Sequence, residues 1–180
     1  LGGMLRYGIP AYRFPRERLQ EDLDAILSTG VEVHLNSRIG NGEGEIPFDK
    51  LRKEFDAVYI AIGAHTDKKI GIPGEDSQGV ISAVEMLREI GEERMPDFKD
   101  KTVVVIGGGN VAMDCTRSSI RLGAKKVIIA YRRRQDDMTA LPEEIEGAIA
   151  EGAELYGLKA PHHIEADANG KVAALWVEPQ

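Results

Sequence analysis

The chain has 180 residues, of which 42% are hydrophobic, and 23 lysines and arginines against 30 acidic residues give a net charge of −7. This length allows one domain with a hydrophobic core, or one small domain and part of another, and no apolar run approaches the roughly 18 residues of a membrane span. The acidic balance argues against a general nucleic-acid binder, which needs a broad basic face.

The first half of the chain contains one clear helical pattern and two apolar segments of strand length. Pro15–Thr29 has apolar residues at helical spacing, with proline at its start and Gly30 after its end. Val31–Asn36 alternates between apolar and polar residues, which predicts a strand. Phe48–Glu54 is short and mixed, and the continuous apolar run Ala57–Ile62 predicts a strand buried on both faces.

Strand and helix patterns alternate more regularly in the second half. A helix is predicted from Ser82 to Ile90, and five further elements follow in the order strand, helix, strand, helix, strand, at Thr102–Ile106, Asn110–Leu122, Lys126–Tyr131, Pro142–Glu151 and Ala153–Leu158. Residues 162–166 and 171–177, joined by an Asn-Gly turn, predict a hairpin. The expected fold is α/β, a Rossmann-type parallel sheet with helices and an antiparallel hairpin flap.

A glycine-rich motif joins the first of these strands to its helix. Gly107, Gly109 and Ala112 form a G-x-G-x-x-A pattern directly after a buried strand, the context that dinucleotide binding requires. Gly107 permits the tight turn, Gly109 lets the backbone approach a pyrophosphate, and Ala112 allows close packing of helix and strand. Free N–H groups at the helix N-terminus would hold the phosphates, and the alternative is a glycine-rich turn with no ligand.

The end of the next strand indicates which dinucleotide is bound. An NAD site usually has an acidic residue there, roughly 20 residues after the glycines, whereas Tyr131 is followed by Arg132, Arg133 and Arg134, and the first acid is Asp136. Guanidinium groups suit a 2′-phosphate, which favours NADPH over NADH. The alternatives are an NAD(H) site and a solvated arginine loop.

The same region concentrates positive charge in an acidic chain. Between Asp114 and Asp136 there are seven cationic residues and no acid, namely Arg117, Arg121, Lys125, Lys126, Arg132, Arg133 and Arg134. A basic stretch beside a glycine-rich helix start is suited to a small polyanion.

Three runs of the chain resemble the glutamate synthase small-subunit family, which includes dihydropyrimidine dehydrogenase and bifurcating ferredoxin:NADP oxidoreductases. Residues 103–154 (VVVIGGGNVAMDC to AEGAE) resemble its NADPH-binding domain. Residues 2–19 (GGMLRYGIPAYRFPRERL) and 55–76 (FDAVYIAIGAHTDKKIGIPGED) resemble parts of its FAD-binding domain. The resemblance implies a partial FAD-binding domain at 1–78 and an NAD(P)H-binding Rossmann domain at 79–180, truncated at its C-terminus.

The resemblance also implies roles for individual residues. Gly108, Gly109, Asn110 and Val111 would line the pyrophosphate and ribose, and Arg132 and Arg133 would hold the 2′-phosphate. Arg13, Ile39, Gly63 and Ala64 match positions near FAD. Thr139 departs from the proline or arginine of the relatives. No catalytic acid or base is expected, because hydride transfer between nicotinamide and flavin depends on aligning two cofactors.

Some expected parts of such a protein are not found in this sequence. The start at Leu1-Gly2-Gly3 has no initiator Met and no signal peptide, and the first FAD fingerprint, a later Gly-Asp segment and a cysteine-rich iron–sulfur domain are missing. We therefore expect an internal piece of a longer cytoplasmic protein that does not hold FAD tightly alone. Its expected partners are the remainder of the FAD domain and an iron–sulfur domain or electron-accepting subunit, with self-association possible through an open sheet edge.

The remaining chemical side chains have structural interpretations. Cys115 cannot form an internal disulfide or hold a metal by itself. It lies where a helix N-terminus can lower a thiol pKa, but without a second cysteine we interpret it as a core residue. His162 and His163 are expected on opposite faces of a strand, which argues against a shared metal. Glu143, Glu144 and Glu146 are interpreted as helix-start residues that complement the dipole. A non-catalytic dinucleotide-binding module is the alternative to an oxidoreductase.

Overall fold

The computed structural model describes residues 1–180. Its helices are α1 (Met4–Tyr7), α2 (Arg16–Leu27), α3 (Phe48–Glu54), α4 (Ala83–Gly91), α5 (Asn110–Arg121) and α6 (Pro142–Ala150), with a 3₁₀ turn at Gln135–Asp137. Its strands are β1 (Thr102–Ile106), β2 (Lys126–Ala130), β3 (Glu154–Tyr156), β4 (Lys159–Ala166) and β5 (Val172–Pro179).

The strands form two sheets. The first is parallel, in the order β1-β2-β3, and the second is the antiparallel hairpin β4-β5. This α/β arrangement confirms the predicted fold class, although β3 is shorter than predicted and both hairpin strands are longer. The outer strands β1 and β3 leave the parallel sheet with two edges, and self-association through such an edge stays a prediction.

Helix α5 lies at the centre of the packing, against β1, β2, α4 and α6. One buried cluster joins α5, β2 and α6, with Met113, Ile129 and Ala148 fully buried. A second cluster joins α5 to α4 through Cys115, Met86 and Leu87. The two clusters account for the apolar faces of α4, α5 and α6 and hold α5 on the sheet.

Two predicted strands are wrong. Val31–Asn36 and Ala57–Ile62 have no regular secondary structure, and their apolar side chains are exposed, Tyr59 to 93%. A strand exists only where a neighbouring strand pairs with its backbone, and neither segment pairs with another strand in this chain. The mixed segment Phe48–Glu54 is a helix.

No helix in the structure combines the length and the apolar character that crossing a bilayer would require. The cytoplasmic location stays a prediction.

Candidate functional site

The glycine turn, which we define as Gly107–Gly109, connects β1 to α5 as predicted. Gly107 has φ of +142°, a conformation that strains any residue with a Cβ, and its N–H donates to the Ala130 carbonyl at 3.1 Å. A Cβ built on Gly107 would lie 3.4 Å from the Cβ of Ala112. Ala112 is itself buried, so the two small residues permit the close helix–strand contact that the motif predicts.

The start of α5 presents unpaired donors. The backbone N–H groups of Gly108, Gly109, Asn110 and Val111 donate to no acceptor in the protein, whereas those of Ala112 and Met113 donate to the Gly109 carbonyl. A Cβ built on Gly109 would meet only the Thr139 hydroxyl, at 3.4 Å. Four free donors at the positive end of a twelve-residue helix form a site for an anion.

Gly108 has a second role that sequence reasoning missed. A Cβ at this position would lie 2.7–2.9 Å from atoms of the Tyr131 ring, so only glycine lets Tyr131 pack here. The Gly108 carbonyl accepts from the N–H groups of both Thr139 and Ala140, each at 3.0 Å. The run of three glycines was the available signal, since the G-x-G-x-x-A pattern itself leaves position 108 open.

The segment that follows Tyr131 and leads to α6, residues 132–141, contacts the glycine turn. We call it the arginine loop. Asn110 Oδ1 accepts from the Leu141 N–H at 2.9 Å, so the Asn110 side chain, predicted to line the nucleotide, contacts the end of this loop. The Tyr131 hydroxyl donates to the Asp137 carbonyl at 2.8 Å, which fixes the middle of the loop.

The three arginines at the start of this loop are exposed and have no partner in the protein. None of the side chains of Arg132, Arg133 and Arg134 forms an ion pair or a side-chain hydrogen bond. Their backbone bends away after the end of β2, and the Arg133 carbonyl accepts from the Leu158 N–H at 2.9 Å. The arginines therefore follow the carboxyl end of β2, the edge at which the glycine turn follows β1.

The basic stretch predicted from the sequence has fewer unpaired cations in the folded chain than the seven that the sequence contains. Carboxylates distant in sequence neutralise three of its seven cations: Glu144 and Glu151 pair with Arg117, Glu151 also pairs with Arg121, and Glu154 pairs with Lys126. The cations left without an acid are Lys125, which precedes β2, and the three arginines that follow it. Three of these four free cations thus lie at the carboxyl edge of the sheet, and Lys125 lies at the opposite end of β2.

Arg13, predicted near FAD, is held by carboxylates of the second half of the chain. Its Nη1 lies 2.9 Å from both carboxylate oxygens of Asp114, and its Nε lies 3.0 Å from Glu144 Oε1. Asp114 is 4% exposed, and burial raises its pKa although Arg13 opposes the rise. Glu144, interpreted from the sequence as a helix-start residue, bridges Arg13 and Arg117.

Tyr12 completes this contact. The guanidinium groups of Arg117 and Arg121 lie over its ring, 4.6 and 4.0 Å from the ring centroid. Burial, with Asp114 as the next cause, raises the pKa of Tyr12 to about 12. We call the cluster of Tyr12 and Arg13 with Asp114, Arg117, Arg121 and Glu144 the N-terminal clamp. Sequence reasoning missed it, because Arg13 and Asp114 are 101 residues apart in the chain.

The other residues predicted near FAD lie elsewhere on the surface. Ile39 forms an isolated bridge with Ile46, and Gly63, at φ of +70°, and Ala64 lie in an exposed segment without regular secondary structure. The Nδ1 atom of the next residue, His65, lies 3.1 Å from the Tyr7 hydroxyl oxygen. Arg13 makes no hydrogen bond to these segments, so the FAD contacts stay predictions.

Cys115 is buried in the core, at 3% exposure, and burial raises its pKa to about 12. The position near the start of α5 therefore does not activate the thiol.

We expect Cys115 in the native protein at about pH 8 to resist a thiol reagent and Cys115 in the unfolded chain to react fully. The measurement is mass spectrometry after iodoacetamide treatment with and without guanidinium chloride. Rapid labelling of the native chain would contradict this.

The prediction that His162 and His163 point away from each other is wrong. A register shift between Pro161 and His163 interrupts the alternation of β4, and the two Nδ1 atoms lie 2.6 Å apart. His163 stacks on Trp176, with ring centroids 5.6 Å apart. This exposed pair belongs to the packing of the hairpin.

Comparisons with known proteins agree with this geometry. The family model for pyridine nucleotide-disulphide oxidoreductases matches residues 2–172. The chain is 42% identical over 168 residues to the NADP(+)-dependent formate dehydrogenase subunit beta of Moorella thermoacetica, covering 92% of this chain and 23% of that protein. It is 35% identical over 185 residues to the glutamate synthase [NADPH] small chain of Escherichia coli, covering 97% and 39%.

A solved structure has the same fold. FprA from Mycobacterium tuberculosis in complex with NADPH aligns with 99% of this chain and 57% of its own, at a TM-score of 0.71 and 19% identity. The chain therefore spans about a quarter to two fifths of the two curated relatives and over half of this structure. With the match over nearly its whole length, the chain belongs to the pyridine nucleotide-disulphide oxidoreductase family.

Proposed function

We propose that this chain is the NADPH-binding part of a flavin-dependent oxidoreductase. The proposal rests on one observation: two sets of groups without partners lie at the same edge of the sheet. They are the four N–H donors at the start of α5 and the three arginines after β2. The donors suit a pyrophosphate, and the guanidinium groups suit a 2′-phosphate.

The residues present fit NADPH. Gly108, Gly109, Asn110 and Val111 would donate to the pyrophosphate through their backbones, and Arg132 and Arg133 would hold the 2′-phosphate. An acidic residue for a ribose 2′-hydroxyl is missing at the end of β2, which argues against NAD(H). Bound NADPH supplies a hydride, and the protein's part is to hold and orient the nucleotide.

FAD fits this chain less well. The guanidinium of Arg13 already faces the carboxylates of Asp114 and Glu144, so its charge is not free for a flavin phosphate. Gly63, Ala64 and Ile39 are all exposed. We infer that the rest of the FAD domain, outside this sequence, supplies the main flavin contacts, and that the chain alone does not retain FAD.

We infer further that electrons pass from the flavin to a partner, through an iron–sulfur domain or an electron-accepting subunit. Two of the relatives are named as a subunit or small chain of a larger enzyme, with formate and glutamate as different products or substrates in their names. This supports a shared NADPH-binding part whose partner sets the substrate. The large subunit of glutamate synthase is one such partner.

The proposal is tested by isothermal titration calorimetry of the chain with NADPH and NADH. We expect NADPH to bind at least about tenfold more tightly, since charge-assisted contacts to the 2′-phosphate are absent for NADH. Competition with 2′,5′-ADP and 5′-AMP isolates that phosphate, and only 2′,5′-ADP should displace NADPH effectively. Equal affinities would support the NAD(H) alternative, and no binding of either nucleotide would contradict the proposal.

A further inference from the structure

We propose that Asn110 and Tyr131 are positioning residues that set selectivity for the 2′-phosphate by fixing the arginine loop. The inference rests on the proposed function and adds to it residues that act on the nucleotide through the loop. Its starting point is that the side chains of Arg132 and Arg133 have no partner in the protein. The path of the loop backbone therefore determines where their guanidinium groups lie.

The entry and exit of the loop are both anchored. At the entry, Tyr131 N–H donates to the Tyr156 carbonyl at 3.0 Å, and Lys159 N–H donates to the Tyr131 carbonyl at 2.9 Å. At the exit, Thr139 and Ala140 N–H both donate to the Gly108 carbonyl at 3.0 Å. The loop is thus attached to the same turn that presents donors to the pyrophosphate.

Two side chains add the remaining anchors. Asn110 Oδ1 accepts from the Leu141 N–H at 2.9 Å, at the residue that caps α6. The Tyr131 hydroxyl donates to the Asp137 carbonyl at 2.8 Å, and its ring lies over Gly108. These anchors, unlike the backbone ones, can be removed by substitution with little change to the glycine turn.

The consequence differs between the two nucleotides. Loss of the Asn110 oxygen leaves the Leu141 N–H without its acceptor and removes one of the three hydrogen bonds at the exit of the loop, which loosens the position of the arginines relative to the 2′-phosphate. The backbone donors at the start of α5 are unaffected, because Asn110 contributes its N–H whichever side chain it carries. NADPH should therefore lose affinity relative to NADH, which shares the pyrophosphate but has no 2′-phosphate.

The test measures the ratio of NADPH to NADH affinity by calorimetry in the full chain. We expect Asn110→Ala and Tyr131→Phe each to lower that ratio by about fivefold. Asn110→Asp keeps an acceptor for Leu141 and should preserve the ratio even where its charge weakens both nucleotides. Gln135→Ala is the matched control, because Gln135 lies in the same loop and its side chain makes no hydrogen bond.

Two results would overturn the inference. Equal weakening of NADPH and NADH in Asn110→Ala would mean that Asn110 contacts the part common to both, and an unchanged ratio would mean that the anchor is dispensable. Hydrogen exchange in the nucleotide-free chain tests the anchor separately, since Asn110→Ala should accelerate exchange at the Leu141 amide. A parent chain without preference for NADPH contradicts the proposed function instead, and the exchange result distinguishes that failure from failure of the anchor.

Discussion

Replacing Arg132 and Arg133 together by alanine is expected to weaken NADPH binding by about 100-fold and to leave NADH binding within about threefold of the parent. Hydrogen bonds to a charged group contribute about 1.5–3 kcal/mol each. Both side chains are exposed, so the lower end of that range applies. Two such contacts amount to about 3 kcal/mol, which corresponds to a factor of about 100.

The control must remove the same charge at another place. Lys68 and Lys125 are exposed, and neither belongs to any ion pair of the structure. The double change Lys68→Ala with Lys125→Ala therefore matches the loss of two cations, and should reduce NADPH affinity by less than about threefold, through long-range charge alone. Parallel weakening in the two double variants would contradict a specific 2′-phosphate contact, as would unchanged NADPH affinity after loss of the arginines.

The part of the fold that carries this site is predictable because its determinants are local. From residue 102 onward each strand is followed by its own helix or turn, and Gly107 and Pro142 stand where those transitions need them. The parallel sheet, α5 and the position of the arginines after β2 follow from that order. The sequence accordingly predicts both the glycine turn and the free cations that face the same edge.

The parts that sequence reasoning misses depend on partners that are distant in the chain. The apolar run Ala57–Ile62 has the composition of a buried strand but no pairing strand here, so its backbone stays irregular. In the same way, Arg117 and Arg121 look free beside the arginine run until the fold brings Glu151 to them. Periodicity and charge counts show which segments are able to form a strand or an ion pair. Whether they do so depends on the strand or carboxylate that the fold places beside them.

The N-terminal clamp leads to the largest expected effect on stability. Arg13→Ala leaves Asp114 buried without the cation whose Nη1 contacts both of its carboxylate oxygens, and removing one member of a buried ion pair costs about 3–5 kcal/mol. The Arg13 side chain is 22% exposed and that of Asp114 is 6% exposed. We therefore expect a loss of about 3 kcal/mol in the free energy of unfolding, measured by urea denaturation followed by circular dichroism.

Two variants show whether the uncompensated carboxylate causes the loss. Arg13→Ala combined with Asp114→Asn removes the charge together with its partner and should recover about half of the lost stability. Arg18→Ala breaks an exposed pair with Glu21, whose side chains are 71% and 62% exposed, and should cost less than about 0.5 kcal/mol. A loss in Arg13→Ala as small as that in Arg18→Ala would show that the clamp contributes no more than a surface ion pair.

The stability that Arg13→Ala loses depends on pH, and the sign of that dependence follows from the pKa of Asp114. Burial raises the pKa of Asp114 in the folded parent, and loss of Arg13 removes an interaction that opposes the rise, so the folded variant binds a proton more readily still. An acid whose folded pKa exceeds its unfolded value makes stability fall as pH rises through that interval. The deficit of Arg13→Ala should therefore be largest near neutral pH and shrink as the pH is lowered through the folded pKa of Asp114.

Glu151 has the opposite sign, because its pairing with Arg121 and Arg117 lowers its pKa. Its contribution to stability is present above its unfolded pKa and is lost as the pH falls through the folded value. The parent and Arg13→Ala share this loss, so it cancels in their difference and leaves the Asp114 effect visible. A deficit that is constant with pH would mean that Arg13 stabilises the chain through packing and not by compensating the buried charge of Asp114, and a deficit that grows in acid would also contradict that compensation.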